Sequence, residues 1–339
     1  MSKFLDLFQG RQSSSPPIWF MRQAGRSLPE YREVRKQYPN FLDLCYTPEL
    51  TAQVTLQPVE RFGLDAAILF SDILVVPQAL GLELSFEEGA GPKLSPLFLS
   101  SLDGAVSDDG FSETLAPIYE AIRLIKEKRP FLPLIGFAGA PWTLALYMLE
   151  GQGSRDFANA KTQAFQNEER FEDLLEVLVF ASALHLIEQV KAGADVVQLF
   201  DTWAGLCPAT HFERWIVEPH RAIVRVLRRE FPDLPIIGFP KGIGANLVIY
   251  AHEVGVSALS LDAGVPLPWV VEFPKKLIFQ GNLDPLLLVA GGDSLKQAIQ
   301  MIHEDMEGRP YIFNLGHGVL PQTPLQNIED CVKWVRALA

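Results

Sequence analysis

Short apolar segments recur along the chain, and each ends in glycine, proline or a charged residue. Most of them are continuously apolar rather than alternating, which is typical of strands in a parallel sheet whose two faces are both buried. The pattern predicts eight strands, at PIWF (17–20), AAILF (66–70), PLIGF (133–137), DVVQLF (195–200), PIIGF (235–239), VSALSL (256–261), KLIFQ (276–280) and YIFN (311–314).

Helical patterns fill the intervals between these segments. Thr47-Pro48-Glu49 predicts a helix start, with a capping hydroxyl, a proline in the first turn and an acid at the positive end of the helix. Gly63 predicts the end of the same helix. Further helices are predicted at 111–128, 167–191, 208–230, 246–254, 294–307 and 323–337.

Alternating strands and helices predict a parallel α/β fold, and eight strands in a chain of 339 residues predict a (β/α)8 TIM barrel. An open doubly wound sheet is the alternative. The fifth, sixth and seventh strands follow one another closely, so their crossovers require short helices. No linker divides the chain. Residues 1–339 are therefore expected to form one barrel domain, with an N-terminal extension at 1–16 and an insertion at 89–104.

Charge and cysteine content narrow the classes of partner. Lysine and arginine number 29 against 41 acidic residues, a net charge of −12, which argues against a general nucleic-acid binder. A few local arginines could still hold a small anion. The three cysteines, Cys45, Cys207 and Cys331, form no CxxC motif, and no His-x-Cys pair is present. Buried, inert thiols in a reducing compartment and no metal site are therefore expected.

Targeting signals are not expected in this chain. The first residues include Asp6 and no apolar h-region, so they do not resemble a signal peptide. The uncharged run 131–149 is long enough to suggest a membrane span, but two prolines and two glycines interrupt it. It is better interpreted as a strand, a turn and a helix. The expected protein is soluble and cytoplasmic, without a membrane partner.

Polar residues follow the predicted strands, and in a TIM barrel the chemistry lies at the carboxyl ends of the strands. Arg22 and Arg26 follow the first strand in a short segment with Gly25, where two guanidinium groups can bind carboxylates in bidentate fashion. This interpretation is favoured over a solvated loop. Arg32 and Arg35 fall in an apparent helix, where surface pairing with neighbouring glutamates is expected.

Single side chains at other strand ends are further candidates. Asp72 has apolar sequence on both sides, so it is either paired structurally or held for chemistry, and both interpretations stay open. Asp201 and Asp262 are expected to cap loops. His317 lies between two glycines, which suits either a pocket residue or a histidine bonded to loop carbonyls. Tyr147 follows the APWT segment and could point its hydroxyl into the site, although packing is the commoner role for such a residue.

A glycine-rich segment after the fifth strand resembles a dinucleotide-binding fingerprint. Gly242 and Gly244 give G-x-G, and Asp262 follows Gly242 by 20 residues. Leu247 stands where the third small residue is required, and the segment lies late in the chain rather than at the first βα turn. Dinucleotide binding is therefore not expected.

Longer segments resemble one family. These are PIWFMRQAGRSLPEYR (17–32), FSDILVVP (70–77), GFAGAPWT (136–143) and NLGHG (314–318). In content and order they resemble the uroporphyrinogen decarboxylase family. The resemblance implies a (β/α)8 barrel, a homodimer with facing mouths, and an enzyme of haem and tetrapyrrole biosynthesis that needs no cofactor or metal. Such an enzyme converts the four acetate side chains of uroporphyrinogen III to methyls, giving coproporphyrinogen III and four CO2.

The resemblance also implies site residues, position by position. Those expected to bind substrate are Arg22, Gln23, Ala24, Gly25, Arg26, Asp72, Tyr147, Thr202 and His317. Asp72, Arg22 and Arg26 are the expected catalytic residues. Many relatives have serine where Thr202 stands, and both residues carry a hydroxyl.

This chemistry agrees with the residue types. The substrate carries eight carboxylates, so a protein of net charge −12 needs the local positive charge that Arg22 and Arg26 can supply. A protonated pyrrole ring is an electron sink within the substrate, so neither pyridoxal phosphate nor thiamine is required. Asp72 could accept hydrogen bonds from pyrrole N–H groups and stabilise the developing cation. The proton donor stays open. Arginine is a poor acid, although Arg22 could hold or relay the proton. His317 and Tyr147 are chemically easier donors, but they could instead only orient propionates.

Two other functions remain as alternatives. Related barrels include corrinoid or cobalamin-independent methyltransferases that use a zinc-bound thiolate, and the missing His-x-Cys pair speaks against this class. A protein that binds tetrapyrroles without catalysis is the second alternative, and the presence of Asp72 disfavours it.

Overall fold

The computed structural model describes residues 2–11, 14–87, 91–102 and 110–338. Its strands are β1 (Ala67–Ile68), β2 (Leu84–Glu87), β3 (Gly91–Leu94), β4 (Leu134–Gly139), β5 (Val196–Asp201), β6 (Ile236–Pro240), β7 (Ala258–Ser260), β8 (Ile278–Leu283) and β9 (Tyr311–Leu315). Seven of them pair in parallel in the order β1-β4-β5-β6-β7-β8-β9. The other two, β2 and β3, form an antiparallel hairpin where the sequence predicted an insertion. The parts of that insertion at 89–90 and 103–104 lie outside the described residues.

The segment 17–20 closes the ring between β9 and β1. The Phe313 N–H donates to the Pro17 carbonyl (2.9 Å), and the Asp65 N–H donates to the Ile18 carbonyl (2.9 Å). The Ile18 N–H is bonded to the Asp65 carboxylate (2.9 Å) rather than to a backbone carbonyl, so the predicted first strand is reduced to a single bridge between Ile18 and Phe313. With this segment in the eighth position, the curled sheet confirms the predicted (β/α)8 class.

Helices separate most of the strands. They are α1 (Lys3–Phe8), α2 (Pro29–Gln37), α3 (Phe41–Cys45), α4 (Pro48–Phe62), α5 (Val75–Ala79), α6 (Phe111–Lys128), α7 (Pro141–Glu150), α8 (Ala158–Gln166), α9 (Glu168–Ala192), α10 (Glu218–Glu230), α11 (Leu247–Glu253), α12 (Pro285–Ala290), α13 (Gly292–Asp305) and α14 (Leu325–Arg336). Short 3₁₀ segments lie at Leu99–Ser101, Ala204–Leu206, Gly244–Asn246 and Leu267–Glu272, and a π turn lies at Glu213–Val217.

The predicted helices agree with these bounds except in local detail. Helix α4 ends at Gly63, which adopts the left-handed conformation with φ 64°, as expected of a terminal glycine. The hydroxyl of Thr47 does not cap this helix, because it donates to the Asp43 carbonyl (2.7 Å). The helix predicted at 208–230 is divided, and only α10 is α-helical. Pro219 has no N–H to donate to the preceding turn, which accounts for the π turn there.

A chain of polar side chains crosses the apolar interior of the barrel. The indole N–H of Trp19 donates to the side-chain oxygen of Gln280 (3.0 Å). The Gln280 amide in turn donates to Gln198 (3.1 Å) and to the hydroxyl of Ser260 (3.1 Å). All four residues are buried, so each bond is made away from competing water. These bonds fix the closing segment to β5, β7 and β8.

The uncharged run 131–149 forms β4 and most of α7, as predicted. All six residues of β4 are buried, which explains why this strand carries no charge. Within the described part of the chain, no helix has both the length and the apolar character needed to cross a bilayer.

Candidate active site

The carboxyl ends of the parallel strands, together with the segment that follows Ile18, surround one opening, here called the mouth. Arg22 follows the closing segment, Asp72 follows β1, Thr202 follows β5 and His317 follows β9. Tyr147 is supplied from α7, which follows β4. The barrel thereby brings together residues that are separated by up to 295 positions in the chain.

Arg22 has a constrained backbone and an exposed side chain. Its φ of 56° lies in the left-handed region, where non-glycine residues are uncommon. Its neighbours hold it there: the Met21 N–H donates to the side-chain oxygen of Asn314 (3.0 Å), and the Gln23 N–H donates to the Phe20 carbonyl (3.1 Å). Desolvation is the main influence on the pKa of Asp72 and of His317, and the charge of the Arg22 guanidinium acts on both groups by lowering the pKa.

Asp72 lies half-buried at the mouth. Its carboxylate accepts a hydrogen bond from the Leu74 N–H (2.9 Å). Desolvation raises the pKa of Asp72, while the Leu74 N–H and the charge of Arg22 partly oppose that rise. Among the described residues no cation comes within ion-pairing distance of this carboxylate. The sequence left two interpretations of Asp72 open. Within the described residues the structure does not contain the structural ion pair that one of them required.

Tyr147 is half-buried on α7, with its ring edge-on to Phe157 at 5.6 Å. Desolvation raises the pKa of its hydroxyl, and the charge of Asp72 adds to the rise. The side chain of Trp203 and the charge of Arg22 act in the opposite direction. The hydroxyl therefore shares one electrostatic environment with Asp72 and Arg22.

His317 is held between two glycines that have steric reasons to be glycine. A Cβ on Gly316 would overlap the backbone of Ala263, and a Cβ on Gly318 would come within 2.7 Å of the Arg22 Cγ. The imidazole lies 6.2 Å from the ring of Phe239. Desolvation, followed by the charges of Arg22 and Lys241, lowers the pKa of His317 to about 4. Before substrate binds, the imidazole is therefore neutral at neutral pH.

The titration of His317 should show this lowered pKa directly. We expect its imidazole NMR resonance, assigned with His317→Gln, to titrate near pH 4 rather than near 6.5. The unfolded chain takes up this proton at a higher pH than the folded chain, so the contribution of His317 to the free energy of unfolding falls as the pH drops through this interval. A midpoint near 6.5 in the folded protein would contradict the assignment.

Gly318→Ala should impair the site through Arg22. The added methyl group must displace the Arg22 side chain, so we expect kcat/KM to fall about tenfold with the fold retained, because a small misplacement of a binding group is costly. A double-mutant cycle with Arg22→Ala measures how far the loss caused by Gly318→Ala depends on the Arg22 side chain. Once Arg22 has been truncated, the second substitution should have little further effect. Fully additive losses would show that Gly318 acts in some other way.

The N-terminal loop contains the other residues that the family resemblance implied. Gln23 is buried, and its side chain accepts from the Phe20 N–H (3.0 Å) and donates to the Ala66 carbonyl (3.2 Å), so it holds the loop in place. Ala24 and Gly25 are half-buried, and Arg26 is exposed. Desolvation raises the pKa of Tyr31, and the charges of Arg35 and Arg26 partly oppose that rise. The contacts of these four residues with a substrate stay predictions.

The expected surface pairing of Arg32 and Arg35 with neighbouring glutamates is wrong. Arg32 donates to the carbonyls of Arg26 (2.9 Å) and Ser27 (3.2 Å), and Arg35 donates to the Tyr38 carbonyl (2.8 Å). Glu30 and Glu33 pair instead with Arg61 and Lys36. Bonds to backbone carbonyls stabilise the loop that carries Arg26, a role that helical spacing alone does not reveal.

Asp201 is not the loop cap that the sequence suggested. It is fully buried, accepts from the Thr143 hydroxyl (2.5 Å) and lies 3.1 Å from the Nε2 atom of His220. The Nδ1 atom of His220 lies 2.7 Å from the Tyr250 hydroxyl, and the Thr143 oxygen also accepts from the Trp203 N–H (3.1 Å). This buried network fixes the backbone on both sides of Thr202, a half-buried residue at the mouth.

Asp262 does cap loops, as predicted. Its carboxylate accepts from the Gly242 N–H (2.8 Å) and the Gly264 N–H (2.9 Å). Asp262 is the acid of the apparent dinucleotide fingerprint, and its carboxylate oxygens are therefore already bonded to backbone N–H groups. The segment after Gly242 leads into α11, a helix of only seven residues.

The thiols of this chain are buried, as the sequence predicted. The three cysteines are free and buried, and desolvation raises the pKa of each thiol. Over the ranges that the structure describes, no group of three or more histidine, cysteine, aspartate or glutamate residues is placed to hold a metal ion.

Known structures share the fold. A methyltransferase from Methanosarcina mazei superposes with a TM-score of 0.83, covering 99% of this chain and 97% of that chain at 20% sequence identity. At this identity the likeness establishes the architecture alone.

Sequence comparison establishes the family. The chain is 48% identical over 336 residues to the uroporphyrinogen decarboxylase of Rhodospirillum rubrum, covering 98% of this chain and 97% of that protein. It is 49% identical over 336 residues to that of Mesorhizobium japonicum, covering 99% and 98%. The sequence profile of the uroporphyrinogen decarboxylase (URO-D) family matches residues 1–338. The chain therefore belongs to the uroporphyrinogen decarboxylase family.

Proposed function

We propose that this chain is a carboxy-lyase that converts the four acetate side chains of uroporphyrinogen III to methyl groups, giving coproporphyrinogen III and four CO2. The observation that carries the proposal is its similarity to relatives of this name, which extends over nearly the full length of both proteins. The mouth also supports this function, because it places the cation Arg22 and the desolvated carboxylate of Asp72 near two titratable side chains, Tyr147 and His317.

Charge explains how an acidic protein can bind an octacarboxylate. The chain has a net charge of −12, which repels such a substrate over long distances. Arg22 offsets this repulsion locally, because its guanidinium faces the mouth without an ion-pair partner among the described residues. A planar fork of donors suits a carboxylate, which it can bind in bidentate fashion.

The proposed reaction runs once for each acetate arm. A proton adds to a ring carbon of the pyrrole, and the ring becomes a cation. The bond between the methylene and the carboxylate then breaks, its electron pair neutralises the ring, and CO2 leaves. A proton adds to the exocyclic methylene while the ring loses its extra proton. In net terms, the acetate carboxylate and one proton become a methyl group and CO2.

Asp72 stabilises the cation in this scheme. Its carboxylate accepts hydrogen bonds from pyrrole N–H groups, which become more acidic and more positive when the ring is protonated. Desolvation raises the pKa of Asp72, because burial makes the charged carboxylate unfavourable. A cationic ring relieves this cost more than a neutral ring does, so the site binds the intermediate better than the substrate.

His317 responds to the substrate as well. Desolvation lowers the pKa of His317 most, and the charges of Arg22 and Lys241 lower it further. Carboxylates that dock beside these two cations offset the part due to charge, which favours a protonated imidazole at the mouth. Arg22 is too weak an acid to supply a proton.

The proposed site contains every residue that the resemblance implied. Substrate contacts are assigned to Arg22, Gln23, Ala24, Gly25, Arg26, Asp72, Tyr147, Thr202 and His317. Asp72, Arg22 and Arg26 act on the reacting ring and its carboxylates. We further propose that residues 1–339 form one catalytic barrel domain with 1–16 as its extension. The proposal includes a cytoplasmic homodimer that binds neither nucleic acid nor membrane and works without a cofactor or metal.

Incubation with uroporphyrinogen III tests the proposed function. The purified, dialysed protein is incubated anaerobically without added cofactor, and products are separated by carboxylate number. We expect four CO2 for each coproporphyrinogen III. Binding without CO2 release would identify a tetrapyrrole-binding protein instead, and stoichiometric zinc in the preparation would favour methyltransferase chemistry.

A further inference from the structure

Lys241 stands at the mouth on a rigid support. It directly follows β6, and its backbone continues the sheet. The Lys241 N–H donates to the Asp201 carbonyl (3.1 Å), and its own carbonyl accepts from the Gly205 N–H (2.9 Å). The residue is therefore fixed beside the segment that carries Thr202, and its half-buried side chain starts from a defined position.

The direction of the Lys241 side chain follows from the strand. Residues two apart on a strand face the same side, so Lys241 shares the face of Phe239. Phe239 is buried against Phe200 at 6.0 Å and against His317 at 6.2 Å. Lys241 lies one step further toward the mouth on this face. Its charge contributes to the lowered pKa of His317, in agreement with that position.

The ammonium group has no acidic partner. Among the described residues, Lys241 makes no ion pair and no side-chain hydrogen bond. The acids at the ends of the two flanking strands, β5 and β7, have other partners: Asp201 is bonded to Thr143 and His220, and Asp262 to two backbone N–H groups. The ammonium group of this half-buried lysine is therefore available to an anionic ligand at the mouth.

Lys241 and Arg22 stand on opposite sides of the mouth. The ring runs from the closing segment through β1, β4 and β5 to β6, and returns through β7, β8 and β9. Strand β6 is therefore four positions from the closing segment in either direction. Uroporphyrinogen carries carboxylates around its whole edge, so one cationic side cannot neutralise them all.

We propose that Lys241 binds a carboxylate of the substrate, on the side of the macrocycle opposite the carboxylate held by Arg22. This assignment rests on the proposed function for the identity of the substrate. The simpler alternative is a lysine whose aliphatic stem covers Phe239 while its ammonium is solvated.

Lys241→Met separates these two roles, because methionine retains an apolar stem and removes the charge. We expect the KM for uroporphyrinogen III to rise about tenfold or more, with kcat changed much less, since a charge-assisted hydrogen bond is lost from binding. Lys241→Arg should restore KM to within a few-fold of wild type. Lys296→Met, on the exposed face of α13, is the matched control and should leave KM unchanged.

A second measurement does not depend on turnover. Uroporphyrin III, the oxidised octacarboxylate that is not decarboxylated, is titrated against each variant, and its Kd should weaken about tenfold in Lys241→Met alone. If wild type binds uroporphyrin III but releases no CO2 from uroporphyrinogen III, the proposed function fails while this titration still tests Lys241. If Lys241→Met matches Lys296→Met in both KM and Kd, the ammonium is merely solvated and the proposal is overturned.

Discussion

Replacing Asp72 with asparagine should lower kcat about 100- to 1,000-fold, the loss typical when one preorganised electrostatic group is removed from an active site. Asparagine is nearly isosteric with aspartate, so the substrate should still bind. Its amide lacks the negative charge that the protonated pyrrole requires. The measurement is the single-turnover rate of CO2 release from uroporphyrinogen III, with KM determined in parallel.

The same substitution should not harm the fold. The asparagine oxygen can still accept the Leu74 N–H bond, and the desolvated charge is gone. Because the pKa of Asp72 is raised in the folded protein, its stabilising contribution is present at low pH and is lost as the pH rises through that pKa. Asp72→Asn should therefore melt at a higher temperature than wild type at pH 7, with the two converging near pH 4. Near-wild-type turnover by the folded variant would remove Asp72 from its assigned role.

Replacing Arg22 with methionine should lower kcat/KM about 100-fold. The guanidinium has no competing ion pair in the described structure, so its charge is available to the substrate. Two charge-assisted hydrogen bonds to one carboxylate together contribute on the order of 3 kcal/mol, and every 1.4 kcal/mol corresponds to a factor of ten. The kinetics should be measured at low and high salt, because electrostatic capture of an anion weakens as salt rises.

Two further variants define what Arg22 contributes. Arg22→Lys keeps the charge but loses the planar fork, so we expect a loss smaller than that of Arg22→Met. Arg229→Met removes an exposed arginine at the carboxyl end of α10, near the start of β6 and hence at the other end of the barrel from the mouth. It should change kcat/KM less than twofold. Equal losses in Arg22→Met and Arg229→Met would mean that only net charge matters.

The fold was predictable from local patterns. Buried parallel strands have continuous apolar sequence, so β4, β5 and β9 were located within two residues of their bounds. Helix α6 spans 111–128, as its amphipathic pattern indicated. The first strand was predicted too long. The Ile18 N–H is bonded to the Asp65 carboxylate, 47 residues away, and an apolar pattern at 17–20 gives no sign of such a distant partner.

The site was harder to predict because its roles depend on contacts that are distant in sequence. The family segments indicated Arg22, Asp72 and His317, but the left-handed backbone of Arg22 depends on surrounding bonds such as that from the Met21 N–H to the Asn314 side-chain oxygen. Asp201 was predicted to cap a loop because its partners Thr143 and His220 lie on two helices distant in sequence. One of those partners, Thr143, is the threonine of the APWT segment.

The fate of the proton tests the central claim most directly. Wild type is incubated with uroporphyrinogen III in D2O, beside Asp72→Asn, and the product is oxidised and examined by mass spectrometry and NMR. We predict that wild type replaces four carboxylates with four deuterium atoms, one in each new methyl group, while the variant does so only at a greatly reduced rate. Recovery of the octacarboxylate from the wild-type reaction, or equal rates for the two proteins, would contradict the account.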